Sequence, residues 1–429
     1  MPAETIDPDF LDPSPRPGRT AWLIVAMLVP VALLNYLDRQ MLAVMKTSVM
    51  ADVPDIASRE NWGFMLGSFK WVYALLSPVG GYIADRFGRR LVIVASLFVW
   101  SAVTWATGYV TDFHTLVGTR ALMGISEAFY IPAALALIAD HHRGATRSRA
   151  VGLHQTGIYA GLILGGFMGH VADAPDLGWR FAFKACGVVG VLYALPLLLV
   201  LRDPPAKADA ASKAHRGASA FATLGELLRN RDFLLLVACF TLPAMAGWIV
   251  KDWMPDILKE RFDLPQGSAG VYSVLPVQFA SLAGVLLGGW LADALMKRTV
   301  RGRILISATG MVLFLPALFG VGFSESLGPA VAFLVLYGIG WGFFDCNNMP
   351  ILSQIVPADR RATGYGLMNL ASISCGGFAD WGFGFLRDRH APLAVIFGAF
   401  ALVALFSAVL MMMIRPRPEL MEKGAEASG

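Results

Sequence analysis

Charge is what this sequence has least of. Asp, Glu, Lys and Arg make up 15% of its 429 residues, against 56% hydrophobic residues. A soluble domain carries about 25% charged residues, so a chain of this length cannot solvate itself in water. An ordinary soluble enzyme is excluded. Cysteine is scarce as well: Cys186, Cys239, Cys346 and Cys375 stand singly in apolar runs, without a disulfide framework or metal-ligand spacing. There is no P-loop, no GxGxxG after a strand, no HExxH and no GxSxG, so no cofactor, no metal and no catalytic group is expected. The net charge of +4 is small and gives no reason to expect a nucleic-acid partner.

What is present is apolar length. Twelve runs reach the roughly 20 residues that span a bilayer: 21–43, 62–84, 91–111, 114–139, 150–172, 181–201, 233–256, 269–295, 303–323, 328–353, 364–386 and 391–414. The predicted fold is an all-α membrane protein of two six-helix bundles, residues 21–201 and 232–414. A tail (1–20), a linker (202–231) and a second tail (415–429) flank them. Within the linker, Phe221, Leu224, Leu227 and Leu228 recur at helical spacing, as in an amphipathic helix lying on the membrane surface. Most Lys and Arg fall on the side of the two termini, which predicts cytoplasmic termini. Trp62, Trp179, Trp248 and Trp253 stand where interfacial anchors belong.

The two halves repeat each other. Gly81-x-x-x-Asp85 returns as Gly289-x-x-x-Asp293, and Glu127-x4-Pro132 as Asp345-x4-Pro350. Arg143-Gly-Ala-Thr146 returns as Arg360-Arg-Ala-Thr363, and Gly152-Leu-His-Gln155 as Gly366-Leu-Met-Asn369. Four matches in one order describe a parallel repeat, an architecture that places a transport site between its halves.

The few charges inside the spans then become informative. Arg120 and Glu127 share an apolar run, close to two helical turns apart and therefore on one face, about 10 Å from each other along the axis. Each is expected to find its partner on another helix. A charge at membrane depth is costly and marks an ion or substrate path. Lys70, Tyr73 and Ser77 form a polar stripe on span 2, and Lys251 of span 7 is close to the repeat counterpart of Arg39. Asp345, Asn347 and Asn348 cluster in span 10; Asn369 and Ser372 follow in span 11. Gly161, Gly165 and Gly169 form a small-residue face for close helix packing.

Gly81-Tyr-Ile-Ala-Asp85-Arg86-Phe-Gly88-Arg89-Arg90 resembles the signature between helices 2 and 3 of the major facilitator superfamily, with a weaker copy after span 8. The resemblance implies a gate loop, its carboxylate able to cap a helix end and its arginines able to bind carboxylates or lipid phosphate. Asn35-Tyr36-Leu37-Asp38-Arg39, with Arg120, Glu127-Ala128 and Gly178-Trp179-Arg180, is similar to the anion:cation symporter family. That family includes bacterial sugar-acid transporters and the sialin and vesicular glutamate carriers. The chain departs from it in carrying Ser77 and Ile373 where the family has Gln and Asn. The resemblance implies substrate contacts for Tyr36, Arg39 and Tyr73, and proton handling for Asp38 and Glu127.

The buried polar residues add Lys70, Asn347, Asn369 and Ser372 to the substrate set, and Arg120 and Asp345 to the proton-coupling set. Gly81, Asp85, Arg86, Gly88, Arg89 and Arg90 form the gate set. The expected function is proton-coupled symport of a small organic anion, a sugar acid such as a uronate or aldonate, by a monomer in the inner membrane. A spinster-like lysolipid or drug exporter is the alternative within transport. A non-transporting receptor is the alternative outside it.

Overall fold

The computed structural model describes residues 18–142, 145–203, 220–357, 360–417 and 419–420. Residues 1–17, most of the middle linker, Arg143, Gly144 and most of the C-terminal tail lie outside the described residues, as do the surroundings of Gly81 and the side chains of Asp85 and Phe221. Each expected span has its helix, and most run a few residues past the apolar core. The first half holds α1 (Arg19–Val44), a short α2 (Lys46–Asp52), α3 (Arg59–Phe87), α4 (Arg89–Thr107), α5 (Phe113–Glu127), α6 (Tyr130–His141), α7 (Ala145–Asp173) and α8 (Gly178–Val200). After α9 (Ala220–Arg229) come α10 (Arg231–Phe262), α11 (Gln266–Met296), α12 (Gly302–Phe323), α13 (Leu327–Asp345), α14 (Asn348–Ile355), α15 (Arg361–Asp388) and α16 (Leu393–Met412).

Two crossings are broken at matching places: α5 stops at Glu127 and α13 at Asp345. Proline explains both breaks. Pro132 and Pro350 are each the third residue of the helix that follows, where the ring has no N–H to donate and crowds the carbonyl four residues earlier. That carbonyl belongs to Ala128 in one half and Cys346 in the other, each at the C-cap of the first segment. The sequence repeat thus builds one device twice, a mid-membrane helix end carrying a carboxylate.

Among the described residues, nine stretches are apolar and long enough to cross a membrane on composition alone. The other three crossings, α3, α7 and α15, are diluted by glycine and polar residues. Their packing gives the reason: α3 lies along α15, and α7 lies against α1 and α11, so these helices form the seam between the halves. Close approach requires small residues. A Cβ on Gly161 would meet the Leu33 carbonyl at 2.3 Å, and one on Gly169 the Gln266 carbonyl at 2.6 Å.

Outside the membrane, Asp112 caps α5, accepting from the Thr115 hydroxyl at 2.6 Å and the Thr115 N–H at 2.8 Å. Those bonds hold its carboxyl below the usual range. The tryptophans correct one expectation: Trp62, Trp179 and Trp253 are buried in protein at 2% exposure or less, so they pack the core instead of anchoring at the interface. α9 sets Leu227 into the core beside Phe233 and Ile351, pairs Glu226 with Arg360 and leaves Leu228 exposed.

Candidate functional site

The polar centre is built from four helices of the first half, α1, α3, α4 and α5. Arg39 reaches from α1 to the end of α5, where its Nε and Nη2 both lie 2.6 Å from Oε2 of Glu127. Three rings surround the guanidinium, with centroids 5.0 Å (Tyr36), 4.8 Å (Phe69) and 4.9 Å (Tyr73) away. Stacking on aromatic faces and gripping a carboxylate sideways are what a planar guanidinium does and an ammonium does not. Glu127 is fully buried, with the buried Asn35 amide of α1 beside its carboxylate.

One helical residue earlier, Asp38 faces the other way. Its Oδ2 accepts from the Thr104 hydroxyl of α4, and its Oδ1 lies 4.0 Å from Arg120 Nη1. Arg120 also stacks on Phe69, 5.1 Å from the ring centroid, and donates to Met123 Sδ at 2.9 Å. Both charges of the fourth span therefore find partners on α1, and Phe69 stands between the two guanidiniums.

A second polar cluster crosses the seam. Lys70 of α3 is buried at 4% and donates to Asp252 of α10 and Asp380 of α15, while Trp253 Nε1 donates to Asp380 Oδ1 at 3.2 Å. Further ties between the halves gather toward the end away from the termini. Lys46 bonds Asp256, Arg59 bonds Glu260, and Gln266 donates to Ser48 at 2.6 Å and Asp173 at 3.1 Å. Asp388 accepts the Arg59 and Glu60 N–H groups at 3.1 and 2.8 Å. The halves are therefore clasped at the far end. Asp345 is exposed although it sits mid-span at the break between α13 and α14. A carboxylate at that depth faces aqueous space between the halves rather than lipid.

The structure brings together Tyr36, Asp38, Arg39, Tyr73, Arg120 and Glu127. Lys70 belongs to the seam cluster, held by two carboxylates. Asn347 turns onto its own helix, donating to the Phe343 carbonyl at 2.9 Å, and is buried there at 2%. Asn369 is half-buried and Ser372 buried on α15. Four participants escaped the sequence reading: Phe69, Thr104, Asp252 and Asp380. Asp380 had a usable signal, a lone carboxylate within an apolar run. Phe69 had none, because an aromatic on an apolar face looks like core.

At the gate loop, Gly88 has φ +86°, and a Cβ there would meet Asp203 Oδ2 at 2.8 Å. Only glycine fits both conditions. Asp203 accepts the Arg90 N–H at 2.8 Å, placing a negative charge at the start of α4 as the helix dipole favours. Arg89 pairs with Asp140, and Arg86 is exposed. The carboxylate seen capping that helix end is thus Asp203.

The profile of the Major Facilitator Superfamily matches residues 28–379. Protein spinster of Drosophila melanogaster is 28% identical over 375 residues, 84% of this chain, and the chain spans 60% of that protein's length. The D-galactonate transporter of Escherichia coli O6:H1 is 24% identical over 92% of this chain and 96% of its own. Among solved structures, a bacterial homolog of the human lysosomal transporter spinster, inward-facing and unoccupied, superposes with TM-score 0.74 at 19% identity. That match covers 94% of this chain and 96% of the other.

Proposed function

The chain belongs to the major facilitator superfamily of membrane transporters, and on that premise we propose that it carries a small organic anion in symport with protons. The observation behind this is Arg39, a guanidinium at membrane depth inside a cage of three aromatic rings, its charge matched by one carboxylate, Glu127. Protonation of Glu127 releases the guanidinium for a substrate carboxylate, so anion and proton enter as a pair. Tyr36 and Tyr73 supply ring faces for the carbon skeleton and hydroxyls for its polar groups, which favours a sugar acid. Asn369 and Ser372 extend the site onto the second half. Asp38, Arg120 and Asp345 complete the proton path, and the loop from Gly81 to Arg90 acts as the gate. Both termini lie in the cytoplasm of an inner membrane, so the far-end clasp gives a state open to the cytoplasm. The protein works as a monomer.

The similarity to spinster proteins supports a second reading, an amphiphilic anion such as a lysolipid moved outward. It needs an apolar passage beside the charges. Uptake into proteoliposomes decides between the two. D-galactonate, D-glucuronate and a lysophospholipid would each be presented with and without an inward proton gradient. Gradient-driven accumulation of a sugar acid is the expected result. Transport of the lysolipid alone would install the second reading, and no transport of either would remove both.

A further inference from the structure

Four cations crowd the middle of this protein, and three of them face carboxylates. Arg39 holds Glu127, Arg120 faces Asp38, and Lys70 holds Asp252 and Asp380. Lys251 of α10 is the exception. Its ammonium makes no ion pair or hydrogen bond with any described residue. It faces two rings instead, 5.4 Å from the centroid of Tyr36 and 5.1 Å from that of Trp248.

The neighbouring carboxylate does not answer for it. Asp252 spends an oxygen on Lys70, and adjacent residues on a helix point in different directions. Lys70 lies over the same Trp248 ring, 4.1 Å from its centroid. Arg39 lies over the same Tyr36 ring at 5.0 Å. The order is therefore Arg39, Tyr36, Lys251, Trp248, Lys70, alternating cation and ring, with both ends on the first half and Lys251 and Trp248 supplied by α10 of the second. Each end of that row bonds carboxylates directly, and its centre bonds none among the described residues. An ammonium at membrane depth without a counter-ion is expensive and is kept where an anion will meet it.

We infer that Lys251 is the second half's anchor for the substrate carboxylate, working across Tyr36 from Arg39. The inference rests on the anion-symport reading and adds to it. While Glu127 occupies Arg39, Lys251 is, of these four cations and among the described residues, the one that bonds no carboxylate, so a monocarboxylate meets Lys251 first and Arg39 joins it once Glu127 is protonated. Its dicarboxylate counterpart must wait for Arg39 to be released. Because Lys251 and Tyr36 belong to different halves, a ligand between them also ties substrate occupancy to the approach of those halves.

The test uses the full-length protein in nanodiscs and equilibrium binding of radiolabelled D-galactonate and D-glucuronate. Unlabelled galactarate, the dicarboxylate twin, and galactitol, the uncharged twin, serve as competitors. Lys251→Gln is expected to weaken acid binding by at least about tenfold, or 1.4 kcal/mol, with Lys251→Arg within about threefold of wild type. Galactitol should not compete, and galactarate should compete less well than D-galactonate. Lys259→Gln, near the far end of the same helix, removes the same charge as a control and should bind as wild type. Full affinity in Lys251→Gln overturns the inference and leaves the symport reading standing. A wild-type protein that binds neither acid overturns the symport reading and this inference with it. Should Lys251→Gln fail to fold, acetylation of Lys251 in the wild type, read by mass spectrometry, replaces it. Protection by D-galactonate supports the assignment, and unchanged labelling overturns it.

Discussion

Arg39 and Glu127 are 88 positions apart in sequence and joined at 2.6 Å, the guanidinium of the first span gripping the carboxylate that ends the first segment of the fourth. The pair is nearly dry, with the Arg39 side chain 10% exposed and Glu127 fully buried. Breaking such a pair leaves an uncompensated charge, at a cost of about 3–5 kcal/mol. It persists only where the missing partner is supplied, by another protein group, a proton or a substrate.

Arg39→Ala should therefore abolish binding of an acidic substrate, measured by equilibrium binding of radiolabelled D-galactonate. Arg39→Lys should recover little, because an ammonium cannot both stack on three rings and bind a carboxylate sideways. The variant Arg39→Ala with Glu127→Gln removes both charges together. It should unfold at a higher temperature than Arg39→Ala alone while still failing to bind. Wild-type affinity in Arg39→Ala would move the anion site elsewhere.

Lys70 is placed to hold the far end shut. Replacing it by Met leaves Asp252 and Asp380 facing each other without a cation, which disfavours the clasped state by several kcal/mol. The halves should then part at that end, with the population shifted by about tenfold or more. Spin labels at the exposed positions Asp55 and Glu325, in a background without native cysteines, would report longer distances. An unchanged distance distribution would show that Lys46–Asp256 and Arg59–Glu260 suffice as the clasp.

Gly88 has a backbone conformation that other residues rarely adopt, and its Cα faces the Asp203 carboxylate. Gly88→Ala should destabilise the protein by about 1–3 kcal/mol and slow transport more than it weakens binding, since the loop lies far from Arg39. Thermal unfolding in detergent checks the first part, and paired binding and transport assays check the second. Equal losses of rate and affinity would point to misfolding instead.

Much of this was legible in the chain. The spans follow from apolar length, and the two broken crossings follow from Glu127-x4-Pro132 and Asp345-x4-Pro350. Periodicity put Arg120 and Glu127 on one face and required partners on other helices. It could not say which partners, because pairing between helices depends on how each is rotated and how deep it sits. Lys70 shows the limit. Its stripe with Tyr73 was visible, but contact with Asp252 and Asp380 arises only once α3, α10 and α15 meet at the seam. Asn347 shows the converse, a polar side chain in a promising cluster that satisfies its own helix.

Glu127 and Asp345 occupy the same place in the two halves, each closing the first segment of a broken crossing, yet their surroundings differ. Glu127 is buried against Arg39, so its carboxylate and the substrate carboxylate compete for one guanidinium, and a proton on Glu127 hands that guanidinium to the substrate. Asp345 is exposed, Asn348 Nδ2 approaches it at 3.5 Å, and no cation of the described residues pairs with it. A carboxylate can couple proton to substrate only if its charge state alters what the substrate meets, and Glu127 meets that condition through Arg39. Glu127→Gln mimics the protonated form. It should bind D-galactonate and exchange it across the membrane in counterflow, yet fail to concentrate it on a pH gradient. Asp345→Asn should lower the rate and keep accumulation. The measurement is counterflow beside gradient-driven uptake for both variants in the same liposomes. Accumulation surviving in Glu127→Gln and lost in Asp345→Asn would place coupling at the break in the second half, and the Arg39–Glu127 pair would then be structural.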